Sequence, residues 1–175
     1  MTTDTKKLLI NYLLFQIGWL GCVLGTGHIA LYITSTILFI HFLAIGSWYK
    51  EKEVIAVCLL LGCTMDSFLG NLNILQFGGA EGESRILPLY QACIWVLLGT
   101  TLRHSLAWIG HHKALGALLG FVLGPTYYFA ETHLTDLSLA APLWQTLLIL
   151  AVLWAVVLPT LQAFSQVWLK RLTNA

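Results

Sequence analysis

The sequence predicts an all-α fold: a polytopic bundle of membrane helices, forming one domain over residues 1–175. Three observations carry that expectation. From Leu8 to Tyr49 there is no Asp, Glu, Lys or Arg in 42 residues. One straight helix of that length would reach about 63 Å, twice a hydrocarbon core of about 30 Å, so the run must fold back on itself. The chain is 58% hydrophobic and only 10% charged, against about 25% charged in a soluble domain, and its mean hydropathy is +0.79. The charges also cluster between apolar runs, with the basic ones grouped on alternate connections. The same composition excludes two other classes. Nine basic and eight acidic residues leave a net charge of +1 with no basic stripe, so no nucleic-acid partner is expected. Long apolar runs rule out a disordered chain.

Six spans are expected, with five as the alternative if the first segment is re-entrant or interfacial. The first helix covers about 7–24, and Gly25-Thr26-Gly27 turns the chain into a second helix near 28–49. Lys50 to Glu53 reads as a short charged loop before a third helix near 54–73. Gln76 to Arg85, rich in glycine and glutamate, reads as a loop. Pro88 suits the first turn of a fourth helix, where its missing N–H costs nothing; that helix is expected to reach Gly110, with His111-His112-Lys113 as the turn. A fifth helix covers about 114–130, and a sixth runs from Pro142 to Leu169.

Orientation follows from the positive charges. With six spans, Lys6, Lys7, Lys50, Lys52, Arg103, Lys113, Lys170 and Arg171 share one side, whereas Arg85 lies on the other with Glu81, Glu83, Glu131 and Asp136. Both termini are therefore expected in the cytoplasm. Lys6-Lys7 precedes an apolar stretch, but no small-x-small cleavage site follows, so a cleaved signal is not expected. Trp19 fits poorly before a lipoprotein-type Leu20-Gly21-Cys22 triplet, and Cys22 is read as unmodified. Cys58, Cys63 and Cys93 have no C-x-x-C spacing and read as small buried residues.

Lipid gives no hydrophobic push between helices, so small-residue faces and polar contacts must hold them together. Gly116, Gly120 and Gly124 repeat every four residues on the fifth helix. They are expected to pack inside the chain or, as the alternative, to form a homodimer face. Pro125 and Pro159 fall inside the fifth and sixth helices and predict kinks.

Ionisable groups at membrane depth are costly and default to functional hypotheses. Asp66 shares a helix face with Gly62, Cys63, Gly70 and Asn73, all small or polar, and is expected to face inward; unpaired in apolar surroundings, a carboxyl keeps its proton at neutral pH. At 1.5 Å per residue, Gln16, His41 and His104 lie within about 3 Å of one another in depth. They are expected to form one cluster, with Arg103 supplying charge at its edge or snorkelling to headgroups. Asp66, Tyr127 and Thr34 make a second layer. No H-x-x-x-H or H-E-x-x-H pair lies within a span, so no metal is expected, and no cofactor motif is present. His111-His112 reads as a solvated turn. His28, Glu131 and His133 read as interfacial polarity, and Trp19, Trp48, Tyr49, Trp108, Trp144 and Trp168 as interface anchors.

Asn11-x-x-x-Phe15-Gln16-x-x-Trp19, the intramembrane Asp66, Leu102-Arg103-His104-Ser105-Leu106-x-Trp108 and Gly124-Pro125-x-Tyr127 resemble a family of uncharacterised small bacterial inner-membrane proteins, over nearly the whole chain. Members of that family often lie beside genes for cyclopropane fatty-acid synthesis and flavin-dependent oxidation. The resemblance implies a role in modifying membrane lipids, alone or with a lipid-modifying enzyme partner, but supplies no catalytic residue. On the residues themselves, Asp66, His41 and His104 are the candidates for proton handling. Gln16, Arg103, Tyr127 and Asn11 are the candidates for binding substrate. A proton-coupled transporter and a structural scaffold are the competing functions.

Overall fold

The computed structural model describes residues 3–25, 27–78 and 87–174. Six α-helices form the bundle: α1 (Thr3–Gly25), α2 (Gly27–Ala44), α3 (Trp48–Asn71), α4 (Leu89–Thr101), α5 (Lys113–Glu131) and α6 (Leu143–Asn174). The expected all-α architecture is the one formed. It carries one addition, an antiparallel ribbon of β1 (Leu75–Phe77) and β2 (Leu137–Leu139), with Leu75 opposite Leu139 and Phe77 opposite Leu137. Three residues per strand are too few to show a period, but Leu75, Phe77 and Leu137 are buried with Leu69, Tyr128 and Leu150 in a small core at that end. The Thr26 part of the first turn and the segment with Glu81, Glu83 and Arg85 lie outside the described residues.

Two boundaries differ from the sequence reading, and both shape the site. Lys50 to Glu53 is not a loop but belongs to the first turns of α3. Ser47 precedes the helix in an extended conformation, and the Glu51 carboxylate reaches back to accept the Ser47 N–H at 2.9 Å. It thereby satisfies a donor that a helix start leaves open and places negative charge on the helix N-terminus. The fourth helix stops at Thr101 instead of Gly110, and a turn leads to a 3-10 helix over Ala107–His111. The Thr100 and Thr101 hydroxyls each donate to a carbonyl of the last turn at 2.7 Å, and the Ser105 N–H is drawn to Asn11 at 3.1 Å. The groups that would extend the ladder are engaged elsewhere.

α4 packs against α1, α2 and α3, and α6 lies along α5 and touches α3. Side-chain bonds from the start of α3 to residues 103–104 close one end of the bundle, and the ribbon closes the other. Gly116, Gly120 and Gly124 are all buried; a Cβ at Gly120 would collide with the Trp154 carbonyl of α6. The glycine face is used inside the chain. Pro125 and Pro159 lie within α5 and α6. Among the described residues, four segments are long and apolar enough to cross a membrane: Thr5–Gly25, Gly27–Ala44, Trp48–Asn71 and Leu143–Arg171. With outward residues such as Ile17, Leu43 and Leu60 exposed, this is an integral membrane protein. α4 alone, with 13 residues, reaches about 20 Å.

Candidate functional site

At the end where α3 begins, side chains of α1, α2, α3 and the turn after α4 form one bonded group around His41 and Glu51. His41 of α2 lies with Nε2 at 2.8 Å from Glu51 Oε2, and His104 of the post-α4 turn with Nε2 at 3.1 Å from Oε1. The two imidazoles stand edge to face with centroids 5.1 Å apart. Asn11 of α1 places Nδ2 3.4 Å from His41 Nδ1 and accepts from the Ser105 N–H at 3.1 Å and the Ser105 hydroxyl at 2.7 Å. Asn11, His41 and Glu51 are buried, whereas His104 keeps 18% of its side chain exposed. Gly46 is required beside this group. A Cβ there would strike both the His41 ring and the Glu51 carboxylate.

The bonds assign the protons. The Asn11 Oδ1 is held by two donors from Ser105, so its NH2 faces the Thr100 carbonyl at 3.3 Å and His41 Nδ1. His41 Nδ1 is then an acceptor, and its Nε2 carries the hydrogen given to Glu51. His104 likewise donates through Nε2 to the carboxylate, and in the neutral ring Nδ1 is the nitrogen with a lone pair. Among the described residues, His41, Glu51 and His104 form a group that could hold a metal ion, their donor atoms lying within 4.8 Å of one another, and two histidines with a carboxylate suit zinc or non-haem iron. This tautomer presents a proton rather than a lone pair from His41 to the centre of the group, so an ion would have to break the Asn11 arrangement first.

Gln16 is not in this cluster. It lies five residues beyond Asn11, about 140° around α1, and its amide donates to the Tyr127 hydroxyl at 2.7 Å. That pair sits in a cleft of about 140 Å³ between α1 and α5, floored by α4 and by Trp154 and Leu158 of α6. The lining is mainly apolar, with Phe15, Leu98, Leu119 and Leu123 among its walls. Ser105 marks one end and Glu131 the other; from Leu119 to Glu131 the α5 wall runs about 18 Å at 1.5 Å per residue. Two residues of this cleft lie in surroundings other than the sequence predicts. Glu131 is not an interfacial group but only 2% exposed, and Trp19 is not an outer anchor, since its indole N–H donates to Glu131 Oε1 at 3.2 Å. His28 and His133 are exposed, as are Trp48, Trp108 and Trp144.

Asp66 forms a separate centre. It is fully buried and accepts from Trp95 Nε1 at 2.6 Å, from Gln91 Nε2 at 3.2 Å and from the Tyr128 hydroxyl. The tyrosine is Tyr128 and not Tyr127, because neighbours on a helix point about 100° apart. Thr34 pairs instead with Cys22, at 3.3 Å. Asn73 follows the end of α3 in a left-handed turn (φ 55°) and so does not continue the Asp66 face. Arg103 donates to the Lys50 carbonyl at 2.6 Å, tying the end of α4 to the start of α3.

Sequence spacing did not single out Glu51 or Ser105. The signal available for Glu51 was its place three residues into a helix, four after Ser47, which the loop assignment hid. No curated protein and no solved structure matches the chain. A family model does match, over residues 8–160, and the chain therefore belongs to the family described as a protein of unknown function, DUF2878.

Proposed function

We propose that this protein binds a membrane lipid in the α1/α5 cleft and takes part in modifying it, alone or with a lipid-modifying enzyme partner, in the bacterial inner membrane. The observation that carries this reading is the continuity of the two features. The cleft ends on Ser105, whose hydroxyl is bonded to Asn11, the residue that sets the His41 tautomer. An acyl chain entering sideways from the bilayer would lie on apolar walls and end at Ser105, which Asn11 links to the His41–Glu51–His104 group. About 140 Å³ is close to the roughly 150 Å³ that takes a benzene-sized apolar guest, so the cleft holds part of a slim chain while the rest stays in the bilayer.

The bonds support a role for each residue in this reading. His104 offers Nδ1 to a substrate proton, Glu51 orients the ring and balances charge on it, and His41 and Asn11 fix Glu51 from the opposite side. This is the logic of a histidine held by a carboxylate in general acid–base catalysis. Arg103 supplies positive charge at the edge. Gln16 and Tyr127 are the polar contacts along the chain, and Asp66 acts by positioning Gln91, Trp95 and Tyr128. We place all six helices across the membrane with both termini in the cytoplasm, because that arrangement puts eight of nine basic residues on the inner side.

The test compares lipid extracts by mass spectrometry from cells with the gene, without it, and with His104→Gln, which keeps hydrogen bonding but cannot titrate. The reading expects a lipid species that depends on the gene and is lost with His104→Gln, but not with the exposed control His112→Gln. Identical profiles in all four strains would overturn it.

A further inference from the structure

The far end of the cleft is unfinished. Six buried side-chain polar atoms lack a hydrogen-bond partner among the described residues, and three of them, Glu131 Oε2, Gln91 Oε1 and Trp154 Nε1, belong to residues lining this one cleft. Native interiors pair nearly all such groups, and a buried acceptor left alone costs free energy. Gln91 and Tyr128 share Asp66, and Glu131 follows Tyr128 by one turn of α5, so the two orphaned oxygens lie at the same end. Glu131 spends Oε1 on Trp19; nothing else among the described residues meets Oε2.

The geometry points to a headgroup subsite here: the cleft takes an apolar chain whose polar end donates a hydrogen bond to Glu131, an alcohol or amine and not a fatty acid or phosphate ester. Two acceptor oxygens wait for a donor, and the single indole N–H can be met by a hydroxyl oxygen. Anionic ends have no counter-charge, because among the described residues no Lys, Arg or His lines the cleft. The aliphatic part of the ligand lies on the walls that lead towards Ser105. This inference rests on the reading of the cleft as a lipid site and adds the chemistry of the head that the site selects.

Trp19, Trp95 and Trp154 line the cleft, so a chain carrying bromine quenches their fluorescence when it binds. The experiment titrates the full chain in lipid nanodiscs with dodecanol, dodecylamine and dodecanoic acid, each bearing a terminal bromine. Alcohol and amine are expected to quench saturably at concentrations about tenfold below the acid, the ratio that one hydrogen bond supplies. That advantage should vanish in Glu131→Leu. In the isosteric Glu131→Gln, which guards against a folding defect, the amine should lose its advantage first. An acid that binds as tightly as the alcohol, or a preference that survives both substitutions, overturns the headgroup assignment while leaving the cleft reading intact. If none of the three probes saturates, the cleft reading itself fails and this inference with it.

Discussion

Glu51 and Glu131 sit near opposite ends of the bundle and are almost equally buried, at 3% and 2% exposure, yet their surroundings differ. Glu51 receives His41, His104 and the Ser47 N–H, so each oxygen is met. Glu131 receives Trp19 alone and leaves one oxygen without a partner among the described residues. A carboxyl that a fold needs for its own stability is surrounded by donors the fold supplies, because charge out of water is costly unless paired. Glu131 lacks that second donor and lines the cleft, and the headgroup assignment takes the missing donor from a ligand. The contrast separates a finished polar device from a receptive one.

The largest effect expected from this contrast is at Glu51. Glu51→Leu strands two imidazole N–H groups and a backbone N–H, and at about 0.6 kcal/mol per intramembrane bond the loss comes to about 2 kcal/mol. Thermal unfolding in detergent should show a clearly lowered midpoint; an unchanged one would break the comparison. Asp66→Asn comes next. Two of its three donors still find the amide oxygen, and the third position must reverse, with the amide donating to the Tyr128 oxygen, so about 0.6 kcal/mol should be lost with the fold kept. A collapse on this substitution would mean that Asp66 resembles Glu51 more closely than its bonds suggest. Glu131→Leu should have the smallest effect, with a midpoint equal to or above wild type, since it gives up one bond and removes a half-met carboxyl. A fall as large as that of Glu51→Leu would erase the distinction.

The parts of this molecule that were legible in the sequence are those set by long periodic runs. Charge-free stretches mark α1, α2, α3 and α6 because a membrane helix has to satisfy its own backbone and cannot carry many charges. Rise arithmetic put His41 and His104 at one depth, and depth was enough, because both also face the bundle interior. It failed for Gln16, whose depth matches but whose rotation does not. The Asp66 face was readable from its small neighbours, though not its partners: Tyr127 and Tyr128 are adjacent in sequence, and only packing chooses between them. Glu51 was hidden because four charged residues in a row resemble a solvated loop, while its role depends on a helix start that buries one member of the run. The ends of α4 and the paired strands depend on side chains borrowed from α1 and on residues about 60 positions apart, which no local pattern records.

The most direct test of the lipid cleft is photolabelling in membranes with an acyl chain carrying a diazirine near its end, followed by peptide mapping. Label is expected to concentrate on residues 12–19 of α1 and 119–128 of α5, the two walls of the cleft, and to be competed away by an excess of unlabelled chain. Label spread evenly over exposed lipid-facing positions such as Leu148, Val152 and Val156, and not competed, would contradict it.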